Sequence, residues 1–183
     1  MKRSASYLTL TCLILLLLNS GLCLQGDWLT FGHDPQRSGW AAEEAKLTAE
    51  SVKDLELKWS IQLDNLPLAL NALTAPVVAR DVVTPSGIKT LVYVAGSSNH
   101  LFAIDASNGK LLWQRTFQSY VTAKAESFYL CPNAVNATPV IDRRQNMIFA
   151  IAYDGRLFGL DLGPEASGSG HINLFRPSPN PGV

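Results

Sequence analysis

Apolar and polar positions alternate in short bursts through the middle of the chain, and turn formers punctuate the bursts. From Thr90 to Trp113 the chain reads TLVYVAGSSNHLFAIDASNGKLLW. Val92 and Val94, then Leu101 to Ile104, are β-branched or apolar. Gly96, Ser97, Ser98 and Asn99 separate the two runs, which predicts two antiparallel strands joined by a loop. Asp105-Ala106-Ser107-Asn108-Gly109 predicts a second turn. There Asp105 accepts a hydrogen bond from a backbone N–H two residues on, and Gly109 takes the positive φ that reverses the chain. Lys110 to Trp113 returns as a third strand ending on a large ring.

The pattern recurs. Asn146 to Leu162 reads NMIFAIAYDGRLFGLDL, two apolar runs around Asp154-Gly155, a strong hairpin signal because a tight primed turn needs positive φ at its centre. LFAIDA (101–106) and LFGLDL (157–162), aligned on Asp105 and Asp161, lie 56 residues apart. The proline-led runs Ala75-Pro76-Val77-Val78 and Thr138-Pro139-Val140-Ile141 lie 63 apart, and Trp59 precedes Trp113 by 54. Periods of about 40–50 residues and slightly more, with strands and turns inside each unit, predict propeller blades. An ordinary β-sandwich with two similar hairpins is the competing reading.

Upstream, Met1 to Cys23 has the form of a targeting segment. Lys2 and Arg3 supply a positive head, and Leu8 to Leu18 an apolar core shorter than the roughly 20 residues that span a bilayer. The expectation is a cleaved secretory leader with Leu24 first in the mature chain. Lipidation at Cys23 is the lesser alternative, because Leu22 fits poorly the small residue such sites want. Gly26 to Trp59 starts as an irregular stretch that buries Trp28, Phe31 and Trp40. Thr48 or Ser51 then caps a short helical turn, and a strand runs from Leu55 to Leu63. The chain thus divides into a leader (1–23), an amino-terminal segment with a first strand (24–63), propeller blades (64–163), and an incomplete blade edge with a Pro/Gly/Ser-rich tail (164–183).

Charge and cysteine usage narrow the classes. Without Lys2 and Arg3, 13 basic residues face 15 acidic ones, a balance of about −2 with no basic cluster to grip nucleic acid. Loss of the leader leaves Cys131, read as a buried apolar residue or as half of a bond whose partner is missing. His33, His100 and His171 are not at metal-ligand spacing, so His33 is read as packing among rings. Asn136-Ala137-Thr138 is formally a glycosylation sequon, disfavoured by Pro139 directly after it.

Trp28-x-x-Phe31-Gly32-x-Asp34, Leu47-Thr48…Val52…Leu55…Trp59 and Ala103-x-Asp105-Ala106-x-x-Gly109-Lys110-x-x-Trp113 together resemble the quinoprotein-type propellers built from pyrroloquinoline-quinone (PQQ) repeats. The resemblance covers about Asp27 to Leu162, loosening at Gly159-Leu160-Asp161. It implies an eight-bladed ring of four-stranded blades with the signature tryptophans docking blade on blade. Some members are periplasmic dehydrogenases holding the quinone and a calcium ion on the axis; others are scaffolds without cofactor. Where those dehydrogenases carry a quinone-facing glutamate, this chain has Leu73. Where they carry a vicinal disulfide it has Cys131-Pro132, and where an arginine follows an asparagine it has Asn136-Ala137. Leucine, proline and alanine supply no acceptor, disulfide or cation to an anionic cofactor. Glu126 is read as a solvated loop charge, and Asp105 and Asp161 as structural turn acceptors.

The expectation is therefore an all-β, partial β-propeller. It has about two four-stranded blades (73–117 and 137–175) and an amino-terminal strand of an eight-bladed ring. No catalytic, cofactor-binding or metal-binding residue is assigned. Two functions stand: an exported, non-catalytic segment for binding or scaffolding, or the amino-terminal part of a PQQ- and calcium-dependent alcohol or sugar dehydrogenase. Expected partners are proteins or the missing blades, with no nucleic acid and no integral membrane span. Two blades leave open flanks, which predicts a truncated gene product or one piece of a larger assembly.

Overall fold

The computed structural model describes residues 26–42, 44, 46–65, 72–118, 137–152 and 154–163. The leader, Glu126, Cys131-Pro132, Asn136, His171 and the tail from 164 fall outside these residues. The described residues form two antiparallel sheets and one short 3-10 turn, Val52–Asp54. The first sheet runs β1 (Val77–Thr84), β2 (Gly87–Gly96), β3 (His100–Asp105) and β4 (Leu111–Thr116), hydrogen-bonded in that order. The second runs β5 (Val140–Asp142), β6 (Met147–Ile151) and β7 (Leu157–Asp161), also in chain order. Both are plain meanders, the connectivity of successive blades; a Greek-key sandwich would instead need a long return connection.

The repeat is exact in hydrogen bonding where the sequence signalled it. Leu91 pairs with Asp105 and Met147 with Asp161, each 56 residues on. The Ala106 N–H donates to Thr90 O, and the Leu162 N–H to Asn146 O, again 56 on. Val77 pairs with Tyr93 and Val140 with Phe149, so the proline-led strands enter in equivalent register. Their longer spacing, 63, places seven extra residues in the β1–β2 hairpin.

That longer β1 needs a correction to its pleat. The register shifts between Ala79 and Val82, leaving Arg80 and Asp81 opposite Thr90 alone, with Asp81 at φ 49°. Before this bulge Val77 and Ala79 are buried; after it Val82 and Thr84 are. The extra residue flips the parity, so both halves of the strand feed one core.

Side-chain alternation divides the first sheet between two partners. Val77, Ala79, Leu91, Tyr93, Leu101 and Ala103 pack in one cluster with Ile141, Ile148, Ala150, Phe158, Leu160 and Leu162 of the second sheet. The opposite face, with Val94, Phe102 and Ile104, packs against Leu63, Trp59 and Ile61. A sheet covered on both sides explains the near-continuous apolar runs in β2 and β3.

Several details differ from the sequence reading. Of the rings expected to be buried near the amino terminus, Phe31 and Trp40 are 52 % and 71 % exposed, and only Trp28 is half-buried. Residues 55–63 cover part of the face of β2 and β3 through Trp59, Ile61 and Leu63 but form no strand: among the described residues their backbone joins no ladder. Leu63 is buried, whereas Leu57 is 86 % exposed. The apolar alternation that reads as a strand is satisfied here by side-chain packing on one face, and pairing requires a neighbouring strand edge. The Asp154-Gly155 hairpin is also not a primed turn. Positive φ falls on Gly155 (81°) and not on Asp154, with Gly155 N–H on Ala152 O and Ala152 N–H on Arg156 O. This is the wider loop with a left-handed glycine before the return strand. The fourth strand expected for the second sheet falls outside the described residues.

Candidate functional site

The signature turn between β3 and β4 is the most heavily bonded polar site described. Asp105 Oδ1 accepts from Ser107 N (2.9 Å) and Ser107 Oγ (2.6 Å), the local acceptor geometry anticipated from sequence. Oδ2 meets Lys89 Nζ at 2.6 Å, and the aspartate side chain is only 2 % exposed. The Lys89 ammonium and the two Ser107 donors hold the Asp105 carboxyl down at about 2. Its backbone carbonyl receives the Gly109 N–H at 2.8 Å, and Gly109 adopts φ 74°.

The turn so fixed is a seat. Trp59 Nε1 donates to Ala106 O at 2.9 Å, and the indole lies on Gly109, where a Cβ would come within 2.6 Å of its Cε3. Only glycine allows that approach. Trp113, one repeat later, is half-buried against the core with its ring centroid 5.9 Å from that of Tyr93. Beside the seat lies an open cleft of about 490 Å³, whose lining includes Lys46, Arg80, Ile88, Lys89, Thr90 and Asp105.

A pH experiment reads this ion pair. A carboxyl whose folded pKa is depressed contributes stability above its ordinary value and loses it as pH falls towards the folded value. Wild type should therefore lose stability between about pH 3.8 and 2 through Asp105. The variant Asp105→Asn should lack that component and be about 2 kcal/mol less stable at neutral pH, the scale of hydrogen bonds to a charged group. Urea midpoints across the acid range check both statements.

The other candidates are dispersed. His33 sits edge-on to Trp28 at 4.8 Å, and His100 Nδ1 lies 3.0 Å from Asp64 O. Asp161 is exposed at the end of β7. No group of three or more His, Cys, Asp or Glu able to hold a metal occurs among the described residues. Leu73 bridges to Gly96 at the entrance to β1, 46 % exposed, and Ala137 is half-buried just before β5. Neither side chain carries a polar atom to offer an anionic cofactor.

Three residues that sequence reasoning passed over matter structurally. Tyr93 reaches Leu162 O of the second sheet at 2.6 Å, Lys89 neutralises Asp105, and Asp27 contacts both sheets. Lys89, two residues before the partner of Asp105 in the ladder, could have been found from the register alone.

Comparison with known proteins places these turns in a lineage. The family described as outer membrane protein assembly factor BamB matches residues 35–169. The chain is 32 % identical over 116 residues to that assembly factor from Yersinia pestis, covering 63 % of this chain and 26 % of the relative. It is 26 % identical over 155 residues to 1-butanol dehydrogenase (cytochrome c) from Thauera butanivorans, covering 84 % and 19 %. It is 29 % identical over 135 residues to quinohemoprotein alcohol dehydrogenase from Comamonas testosteroni, covering 74 % and 16 %. The chain thus spans about a quarter or less of the length of these curated relatives. The two meanders in repeat register and the family match over most of the sequence agree: this chain belongs to the PQQ-repeat β-propeller family.

Proposed function

We propose that the chain is an exported propeller segment that works by binding other proteins or further blades, without carrying out chemistry itself. The observation that carries this reading is the engagement of its signature groups. Asp105 is tied to Lys89 and Ser107, and the Trp59 indole to Ala106 O, so the polar atoms of the motif hold the architecture together. A surface for partners lies on the second sheet, opposite its core face, where Val140 and Ile151 are 45 % and 46 % exposed and flank the half-buried Phe149 and Leu157. A further sheet packed there would bury a row of apolar side chains, each contributing about 25 cal/mol per Å² removed from water. The likeness to an assembly factor supports a binding role, and the leader-like Met1 to Cys23 supports export to the periplasm or beyond. Among the described residues no helix is long and apolar enough to cross a membrane.

The second reading, an amino-terminal part of a PQQ-dependent alcohol or sugar dehydrogenase, is favoured by the two dehydrogenase relatives that align with 84 % and 74 % of the chain. Titrating the purified protein with PQQ and calcium chloride, by absorbance and calorimetry, separates the two. The expected result is no stoichiometric uptake. Saturable binding at one quinone per chain would favour the dehydrogenase reading.

A further inference from the structure

The first strands of the two sheets, β1 and β5, each have an edge turned away from their own ladder, and one short segment occupies both. Trp28 and Val78 exchange two backbone hydrogen bonds of 2.8 Å on the free edge of β1. One residue later, Leu29 O accepts the Ile141 N–H of β5 at 2.8 Å. One residue earlier, Asp27 repeats the pattern with its side chain. Oδ1 accepts the Arg80 N–H at 2.7 Å, beside the β1 bulge, and Oδ2 pairs with Arg143 Nε at 3.3 Å, just beyond β5. The Asp27 side chain is 10 % exposed and that of Arg143 24 %.

We propose that Asp27–Leu29 is a strap that couples the two sheets, so that the inner edges of β1 and β5 open together and not independently. Three consecutive residues each bond to one or both sheets, and unpaired strand edges are otherwise costly when shielded from solvent. The carboxylate is the fastener, because its two oxygens engage one group from each sheet region. Releasing it frees the bulge amide on one side and the guanidinium on the other, and the two backbone attachments between them lose their shared anchor. The coupling is a property of the segment preceding the repeats, and the signature motif of the repeats does not contain it.

Residue-resolved amide hydrogen exchange on the full chain tests the proposal. In Asp27→Ala, the Val78 and Ile141 amides should exchange about tenfold faster, together, while the β2–β3 ladder amides of Val94 and Phe102 keep their wild-type rates. Arg143→Gln provides the decisive second variant, since Arg143 lies in the second sheet region and a mild surface change there should leave the fold intact. It should accelerate the Val78 amide, in the first sheet, along with Ile141. Acceleration of Ile141 alone in Arg143→Gln, or unchanged rates at both amides in the two variants, would overturn the strap. Uniform acceleration that includes the β2–β3 ladder in Arg143→Gln would do the same, since it would report loss of the whole fold.

Discussion

Gly109→Ala should destabilise the protein by about 3–4 kcal/mol, against about 1–2 kcal/mol for Gly155→Ala. Both glycines have positive φ, 74° and 81°, so each alanine incurs the left-handed penalty of about 1–2 kcal/mol. Only Gly109 is also a seat. A Cβ there would stand 2.6 Å from Trp59 Cε3 and 2.7 Å from Cδ2, whereas nothing lies within 4 Å of one at Gly155. The Trp59 ring would have to lift, losing its packing and its bond to Ala106 O. The excess over Gly155→Ala therefore measures the dock itself. A double-mutant cycle sharpens the point: in a Trp59→Ala background the cost of Gly109→Ala should fall to the Gly155→Ala value. Urea midpoints at unchanged m report each term. Equal costs for the two glycine variants would mean that Trp59 does not rest on that turn.

Local chemistry made the fold legible. Asp105, Ser107 and Gly109 write a turn that depends on its own donors, acceptors and φ, so the sequence was sufficient to place it. The 56-residue repeat was legible for the same reason, since hydrogen-bond register follows from turns and alternation. Even the discordant spacing of 63 carried information, because the seven-residue excess became the longer β1–β2 hairpin. Over Leu55 to Leu63 alternation signals one buried face and says nothing about whether a ladder partner stands alongside. Here Trp59, Ile61 and Leu63 find that face against Val94, Phe102 and Ile104 without a backbone partner.

The polar site was less legible because its contacts are long-range. Lys89 and Asp105 are sixteen apart, Asp27 and Arg80 fifty-three, and Tyr93 and Leu162 sixty-nine. The first pair follows once the β2–β3 register is known, whereas the other two follow only from how Asp27 and the second sheet meet the first. Trp113 shows the limit of analogy between repeats. It stands 54 residues after Trp59, yet its ring packs beside Tyr93 in the core while that of Trp59 covers a glycine.

Tyr93 therefore carries the last expectation. Its side chain is fully buried in the shared core, and its hydroxyl donates across to Leu162 O at 2.6 Å. Tyr93→Ala should cost about 3–5 kcal/mol, the scale for removing a buried ring. Tyr93→Phe keeps the ring and removes only the donor, leaving the Leu162 carbonyl short of a partner; about 1–2 kcal/mol is expected. Burial pushes the phenol well above its ordinary 10, with Arg143 opposing. A group whose folded pKa is raised stabilises fully below its unfolded value and loses that contribution as pH climbs towards the folded one. Wild type should then weaken above about pH 10, and Tyr93→Phe should lack that component of the alkaline decline. If the two chains declined in parallel above pH 10, the phenol would not be the tie between the sheets. The shared core would then rest on apolar contact alone.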